Sequence, residues 1–216
     1  MKRVFLDLEM NDVAKDRKGL CPKSRKEIIE IGAVMLDEDD VIIDTFKHYI
    51  RPVMNNRISR PIQALTHITT DMVKDAEYIE EIMQKFVDWC GDDCEIYSWS
   101  DSDLCQIKQE FAAKKIPISG KMNDLIKHWV DYQKVFSKMC RMNRALRLED
   151  AVRLVGLDFS GSAHDALADA MNTAQIYIHG KTADLNHVHE LLHDTFSEHS
   201  FSMGDLFDFA SLSLVG

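Results

Sequence analysis

Asp7 and Glu9 stand two residues apart in the apolar run VFLDLEM at positions 4–10, a spacing that lets two carboxylates act on one ligand. If the run is a strand, period-2 alternation sends Val4, Leu6 and Leu8 to one face and Phe5, Asp7 and Glu9 to the other. Two carboxylates side by side on an apolar strand repel each other and are poorly solvated. Both stay ionised only with cations between them or with water at a strand end. A divalent metal is the economical partner for such a pair.

Two later segments offer carboxylates at the ends of elements. In SWSDSDL at 98–104, an apolar strand runs into a helix, and either Asp101 or Asp103 could be no more than a helix cap, the most frequent use of aspartate at such a junction. In SAHDALADA at 162–170, His164 precedes a helix of small residues that carries Asp165 and Asp169 one turn apart. Small residues let a backbone approach something closely. Asp165 reads as a favourable charge at the positive end of the helix dipole. Asp169 lies further in, beside Ala166, Leu167 and Ala170, and is harder to assign to solvent. A lone histidine is usually structural, so His164 gains weight only by sharing a segment with Asp169.

The elements that must position these residues follow from periodicity. Residues 27–36 (EIIEIGAVML) are rich in β-branched side chains and predict a second strand. The acidic run 37–40 predicts a hairpin turn, and residues 41–49 predict a third strand antiparallel to the second. Residues 61–73 read as a loop with a short helix. Ile79, Ile82, Met83, Phe86, Val87 and Cys90 recur at the 3.6-residue period of a helix. Residues 95–99 read as a buried strand, followed by a helix from about Asp103 to Lys114 with Leu104, Ile107 and Phe111 on its inner face. Residues 122–139 read as a strand or short helix leading into a longer helix. Residues 147–155 predict a helix stopped by Gly156, and residues 162–178 one that ends at Gly180. Strands alternating with helices make the class α/β with a mixed sheet.

At 216 residues, 45% hydrophobic and 29% charged with four prolines and nine glycines, the composition is that of one globular domain with a tail, neither disordered nor fibrous. No stretch is long and apolar enough for a membrane span. The predicted first strand begins directly after Met1, Lys2 and Arg3, which leaves no room for a signal peptide and predicts a cytoplasmic protein. Five cysteines without a Cys-x-x-Cys spacing predict free buried thiols, not a disulfide framework or a zinc site.

A formal charge of −10 argues against a nucleic-acid partner, but its distribution qualifies that. Residues 114–153 hold ten Lys/Arg against four Asp/Glu, and Lys127, Lys134, Lys138 and Arg141 would share one face if their segment were a continuous helix. A solvated face that packs its other side on the core is the plainer account of that stripe. The polar loop after the first strand adds Lys15, Arg17, Lys18, Lys23, Arg25 and Lys26. Phe5, Met10 and Trp99 are candidates to stack a base, although apolar residues in such places are more often core. In the tail, His189 and His193 lie four apart after His187, yet nothing completes a metal shell, and surface histidines are the default.

The ordered set resembles the DEDDh 3′-5′ exonucleases: Asp-x-Glu on a first strand, an aspartate before an apolar residue at a strand-to-helix junction about a hundred residues on, and His-x4-Asp near the end. Two stretches extend the resemblance. Residues 27–36 are similar to the second strand of the histone-mRNA and small-RNA exonuclease branch, and Leu65-Thr66-His67-Ile68 to the family's Leu-Thr-Gly-Ile segment. It covers residues 2 to about 180, so an exonuclease domain is expected over 1–180 and a C-terminal helical extension over 181–216.

The resemblance implies a ribonuclease H-like fold, a mixed five-stranded sheet flanked by helices. It implies Asp7, Glu9, Asp103 and Asp169 as carboxylates for two Mg²⁺ or Mn²⁺ ions, with His164 as general base. Asp103 is preferred to Asp101 because Leu104 follows it. Met10, Leu65, Thr66 and Trp99 would contact the substrate; His67 stands where many members have glycine. The implied activity is 3′-5′ removal of nucleoside 5′-monophosphates from single-stranded RNA or 3′ overhangs, with RNA ahead of DNA as partner. The alternatives are an oligoribonuclease-like or DNA-directed enzyme, or a catalytically silent nucleic-acid-binding regulator.

Overall fold

A computed structural model describes residues 1–13, 25–142 and 144–183. Three strands open the chain as a meander: β1 (Lys2–Asp12), β2 (Lys26–Leu36) and β3 (Ile42–Tyr49). Two short helices follow, α1 (Arg60–Thr66) and α2 (Thr70–Val73), where one was expected, and then α3 (Ile79–Cys90). β4 (Cys94–Ser98) leads into α4 (Ser102–Lys114), and α5 (Gly120–Lys127) into β5 (Trp129–Asp131). Three helices close the described chain: α6 (Tyr132–Met139), α7 (Leu148–Leu154) and α8 (Ala166–Gly180). The expected extension over 181–216 lies outside the described residues apart from its first three positions, as do His187, His189, His193 and the cations Lys15, Arg17, Lys18 and Lys23.

The strands form one five-stranded sheet in the order β3-β2-β1-β4-β5. β1 pairs antiparallel with β2 and parallel with β4, so the sheet is mixed, as the alternation predicts. Alternation along β1 works as read. Val4, Leu6 and Leu8 join a core with α3, α4 and α5 on one face, while Phe5 packs with Val34, Ala170 and Ala174 on the other, under α8. Phe5 is therefore core and is removed from the stacking candidates. The inward residues of α3 are the six that its periodicity named.

Four expectations change. The helix expected from residue 162 begins at Ala166, because the Asp165 side chain caps it by accepting from the amides of Leu167 and Ala168; Ser162 to Asp165 form a turn. Residues 122–139 divide among α5, β5 and α6, so the basic stripe is not one helical face. Two of its cations are also engaged: Lys127 pairs with Asp124 at 2.8 Å, and Lys134 with Asp101 and Asp131 at 2.8 and 2.7 Å. The inner face of α4 holds Asp103, Gln106, Ile107, Glu110 and Phe111, with Leu104 only half-buried. The thiols of Cys90, Cys94, Cys105 and Cys140 are free, but Cys105 is exposed. Among the described residues no helix is long and apolar enough to cross a membrane.

One glycine decides how closely the two halves of the site approach. Gly32 pairs across the ladder with Asp7, and a Cβ built on it would lie 2.2 Å from Ala166 C and Leu167 N. The missing side chain admits the first turn of α8 beside Asp7. Gly32→Ala is expected to force α8 off the sheet at a cost of about 1–3 kcal/mol, as overpacked cores show. A melting scan that finds the variant as stable as the parent would refute the close approach.

Candidate active site

β1 and β4 run parallel and their pairing ends at Leu6 and Ser98, so β1 continues past the end of its neighbour. In open α/β sheets such strand ends leave a crevice for ligands. Asp7 and Glu9 lie on this projecting part of β1, and the chain leaving β4 turns at residues 99–101 to start α4 beside them. Asp103, in the first turn of α4, is 4% exposed; Asp101 sits outside on the surface, held by Lys134. α8 descends from the other face and brings Asp169. The turn before it brings His164, whose amide donates to Asp169 Oδ2 at 3.2 Å.

These groups line one cleft of about 370 Å³. Met10, Leu65, Thr66 and Trp99 line it too, so the residues that the resemblance implied for the site are brought together, while Phe5 is not among them. Leu65 is 46% exposed at the wall, an apolar surface available to a base. Thr66 is buried and its hydroxyl is engaged, donating to Ile62 O and accepting from Ile68 N. Trp99 packs with Tyr132 and Phe136 and donates to Leu146 O at 3.1 Å, so it shows the cleft an edge of the core. His67 caps α1 with φ 60°, in the left-handed region. That accounts physically for glycine at this place in the family pattern.

The cleft concentrates negative charge with little to offset it. Burial first, and then Asp103, Asp169, Glu9 and Glu30, raise the Asp7 carboxyl well above its ordinary range. Burial with Asp169 and Glu30 pushes Glu9 up to about 8. Burial also takes Asp103 to about 7, assisted by Asp169 against its own backbone hydrogen bond, and Asp169 to about 6, against the bond from His164. Nearby cations serve other partners, Lys47 being paired with Glu30 and Asp165.

Two observations test whether this set fits a hard divalent cation. Asp169 Oδ1 is buried without a hydrogen-bond partner among the described residues. Glu9, His164 and Asp169 offer ligand atoms all within 4.8 Å of one another. A buried orphan oxygen inside an oxygen-rich donor set is what Mg²⁺ or Mn²⁺ requires.

Sequence reasoning passed over Glu30 and Lys47. Glu30 lies opposite Glu9 in the ladder, is 1% exposed, and accepts from Ala166 N at 3.1 Å, which anchors the start of α8. The signal was available: a glutamate inside the apolar run EIIEIGAVML needs a partner when buried. Lys26, in the polar loop by sequence, also lines the cleft.

A mixed sheet in this order, with carboxylates converging at the ends of its central strands, is a ribonuclease H-like fold. Residues 4–177 match the family model described as exonuclease, RNase T, and the chain belongs to this exonuclease family. It is 28% identical over 173 residues to 3′-5′ exoribonuclease 1 of Homo sapiens, an alignment covering 74% of this chain and 48% of that protein. The chain thus spans about half the length of the curated relatives it matches. A shorter stretch of 66 residues, 31% of this chain, is 44% identical to 4% of a PolC-type DNA polymerase III of Staphylococcus haemolyticus. Among solved structures, the nuclease domain of 3′hExo, a DEDDh family member bound to rAMP, superposes with a TM-score of 0.71 at 24% identity. That superposition covers 82% of this chain and 90% of the other, a likeness of fold.

Proposed function

We propose that this chain is a metal-dependent 3′-5′ exonuclease that releases nucleoside 5′-monophosphates from single-stranded RNA or 3′ overhangs. The observation that carries the reading is the convergence of Asp7, Glu9, Asp103, Asp169 and His164 on one cleft walled by Leu65 and Met10. Family membership supports the reaction class, and the exoribonuclease relatives support RNA ahead of DNA.

Asp7, Glu9, Asp103 and Asp169 would hold two Mg²⁺ or Mn²⁺ ions. Such ions supply Lewis-acid stabilisation of the attacking and leaving oxygens of an in-line displacement and favour ionisation of water. The four carboxylates become ionised acceptors in that state, and their repulsion turns into a strong grip on the cations. His164, exposed at the cleft and beside Glu9 and Asp169, takes the proton of the attacking water. Leu65 lies against the terminal base, and Met10 fills the wall beneath it.

The deciding experiment is digestion of 3′-labelled and 5′-labelled RNA and DNA oligonucleotides with Mn²⁺ and with EDTA. The expected result is mononucleotide release from the 3′ end, only with Mn²⁺, and faster on RNA. His164→Asn should cost about 10²–10⁴-fold in rate, the usual worth of a positioned base. Asparagine is chosen because His164 has φ 63°, a conformation asparagine tolerates, so the turn survives while the base is lost. A second reading, a DNA-directed exonuclease, has the polymerase match in its favour. Faster digestion of DNA in the same assay would establish it. A length series starting at dinucleotides would reveal an oligoribonuclease-like preference.

A further inference from the structure

The buried polar stripe on α4 has no part in the chemistry proposed above, yet it is expensive. Glu110 is fully buried: its Oε2 accepts from Ile28 N at 2.8 Å and from Gln106 Nε2 at 3.0 Å, and its Oε1 accepts from Lys114 at 2.7 Å. Gln106 also donates to Lys26 O at 2.9 Å. Lys114 reaches Glu27, 2.9 Å away and itself fully buried, which gathers the amides of Val53, Met54 and Asn55. Two buried carboxylates share one lysine. Apolar residues here would leave the amides of Ile28, Val53, Met54 and Asn55 without acceptors, so the network fixes backbone geometry as well as filling the core.

Its location says which geometry. The β1–β2 register breaks between Glu9 and Met10: Glu9 pairs with Glu30 and Met10 with Ile28, which leaves Ile29 as an extra residue. Glu110 and Gln106 bond the backbone of β2 at Ile28 and Lys26, directly beside that break. Gln106 lies one helical turn from Asp103 on the same face of α4. An apolar contact would let the helix slide along the sheet. Directional bonds to charged groups in a low-dielectric interior do not.

We infer that Gln106 and Glu110, braced by Lys114, are positioning residues that set the separation between Asp103 and the Asp7–Glu9 pair, and with it the affinity for divalent cation. This rests on the functional reading above for the identity of the carboxylates. Gln106→Leu and Glu110→Gln are the test variants, with Mn²⁺ affinity measured directly by titration calorimetry or by loss of the free-ion paramagnetic resonance signal. Partners of this kind usually govern affinity by about 10–100-fold. The expected result is Mn²⁺ binding about tenfold weaker in both variants, with KM for an oligonucleotide at saturating Mn²⁺ unchanged; both also melt lower in EDTA, because each change leaves a buried polar group short of a partner. A purely structural role would lower the EDTA melting temperature and leave the affinity of the folded protein alone.

Equal Mn²⁺ affinity in a folded variant overturns the inference. If Glu110→Gln does not fold, Gln106→Leu, which removes no charge, decides the question. A parent that binds Mn²⁺ but degrades neither RNA nor DNA overturns the proposed function and leaves the affinity comparison standing. A parent that binds no Mn²⁺ overturns both.

Discussion

Asp7→Asn is expected to lower the rate of oligonucleotide digestion in Mn²⁺ by about 10³-fold or more while raising the melting temperature of the metal-free protein. The loss follows from removing one charged ligand from a site whose worth is several kcal/mol of transition-state charge stabilisation. The gain follows from the environment of that carboxyl. Burial, Asp103, Asp169, Glu9 and Glu30 all oppose its ionisation. An amide has almost the same shape, carries no charge and accepts the surroundings without repulsion. Sites that trade stability for function behave this way. Two measurements check it, the rate with Mn²⁺ and a melting scan in EDTA near pH 8. A variant that melts below the parent in EDTA would show that the carboxylates do not strain the empty site, and a variant of parental rate would remove Asp7 from it.

The second large effect is on pH and metal together. In the unfolded chain these carboxyls ionise at about pH 4. In the folded protein Asp169 holds its proton up to about 6, Asp103 up to about 7 and Glu9 up to about 8. Between about pH 4 and pH 8 the folded state therefore binds more protons than the unfolded one, and stability falls as pH rises through that window. Metal binding replaces the protons, so its effect must grow as pH rises. At a hundred times its dissociation constant a single bound ion adds about 2.7 kcal/mol. Melting scans at about pH 6 and about pH 8 are expected to diverge in EDTA and converge in saturating Mn²⁺. An EDTA melting temperature that rises over this range would contradict the assignment of the raised carboxyls.

Much of this site was legible because its parts obey short-range rules. Asp7 and Glu9 share a face because strands alternate, and the inward residues of α3 were readable because helices repeat every 3.6 residues. Asp103 over Asp101 was not a matter of periodicity; it came from resemblance, and burial of the one beside exposure of the other agrees with it. The inner face of α4 was misjudged because burying Gln106 and Glu110 is favourable only with partners from β2, about eighty residues earlier in the chain. No local pattern announces such partners. The division of residues 122–139 was missed for a related reason. β5 has three residues, too few to alternate visibly, and exists because β4 offers it an edge. The turn at His164 was hidden within a helical pattern that, capped by Asp165, starts four residues later than expected.

The strand order carries a consequence for how the domain is made. β1 leaves the ribosome before every other described element, yet it lies at the middle of the sheet and keeps one side open until residues 94–98 arrive. Its acidic pair also waits for α8, more than 150 residues later, to supply Asp169. A nascent chain that emerges from the N-terminus therefore carries an unfinished sheet centre through most of translation, exposed to aggregation and dependent on slow long-range closure. The same delay means that Asp7, Glu9, Asp103 and Asp169 come together only when nearly the whole domain has been synthesised.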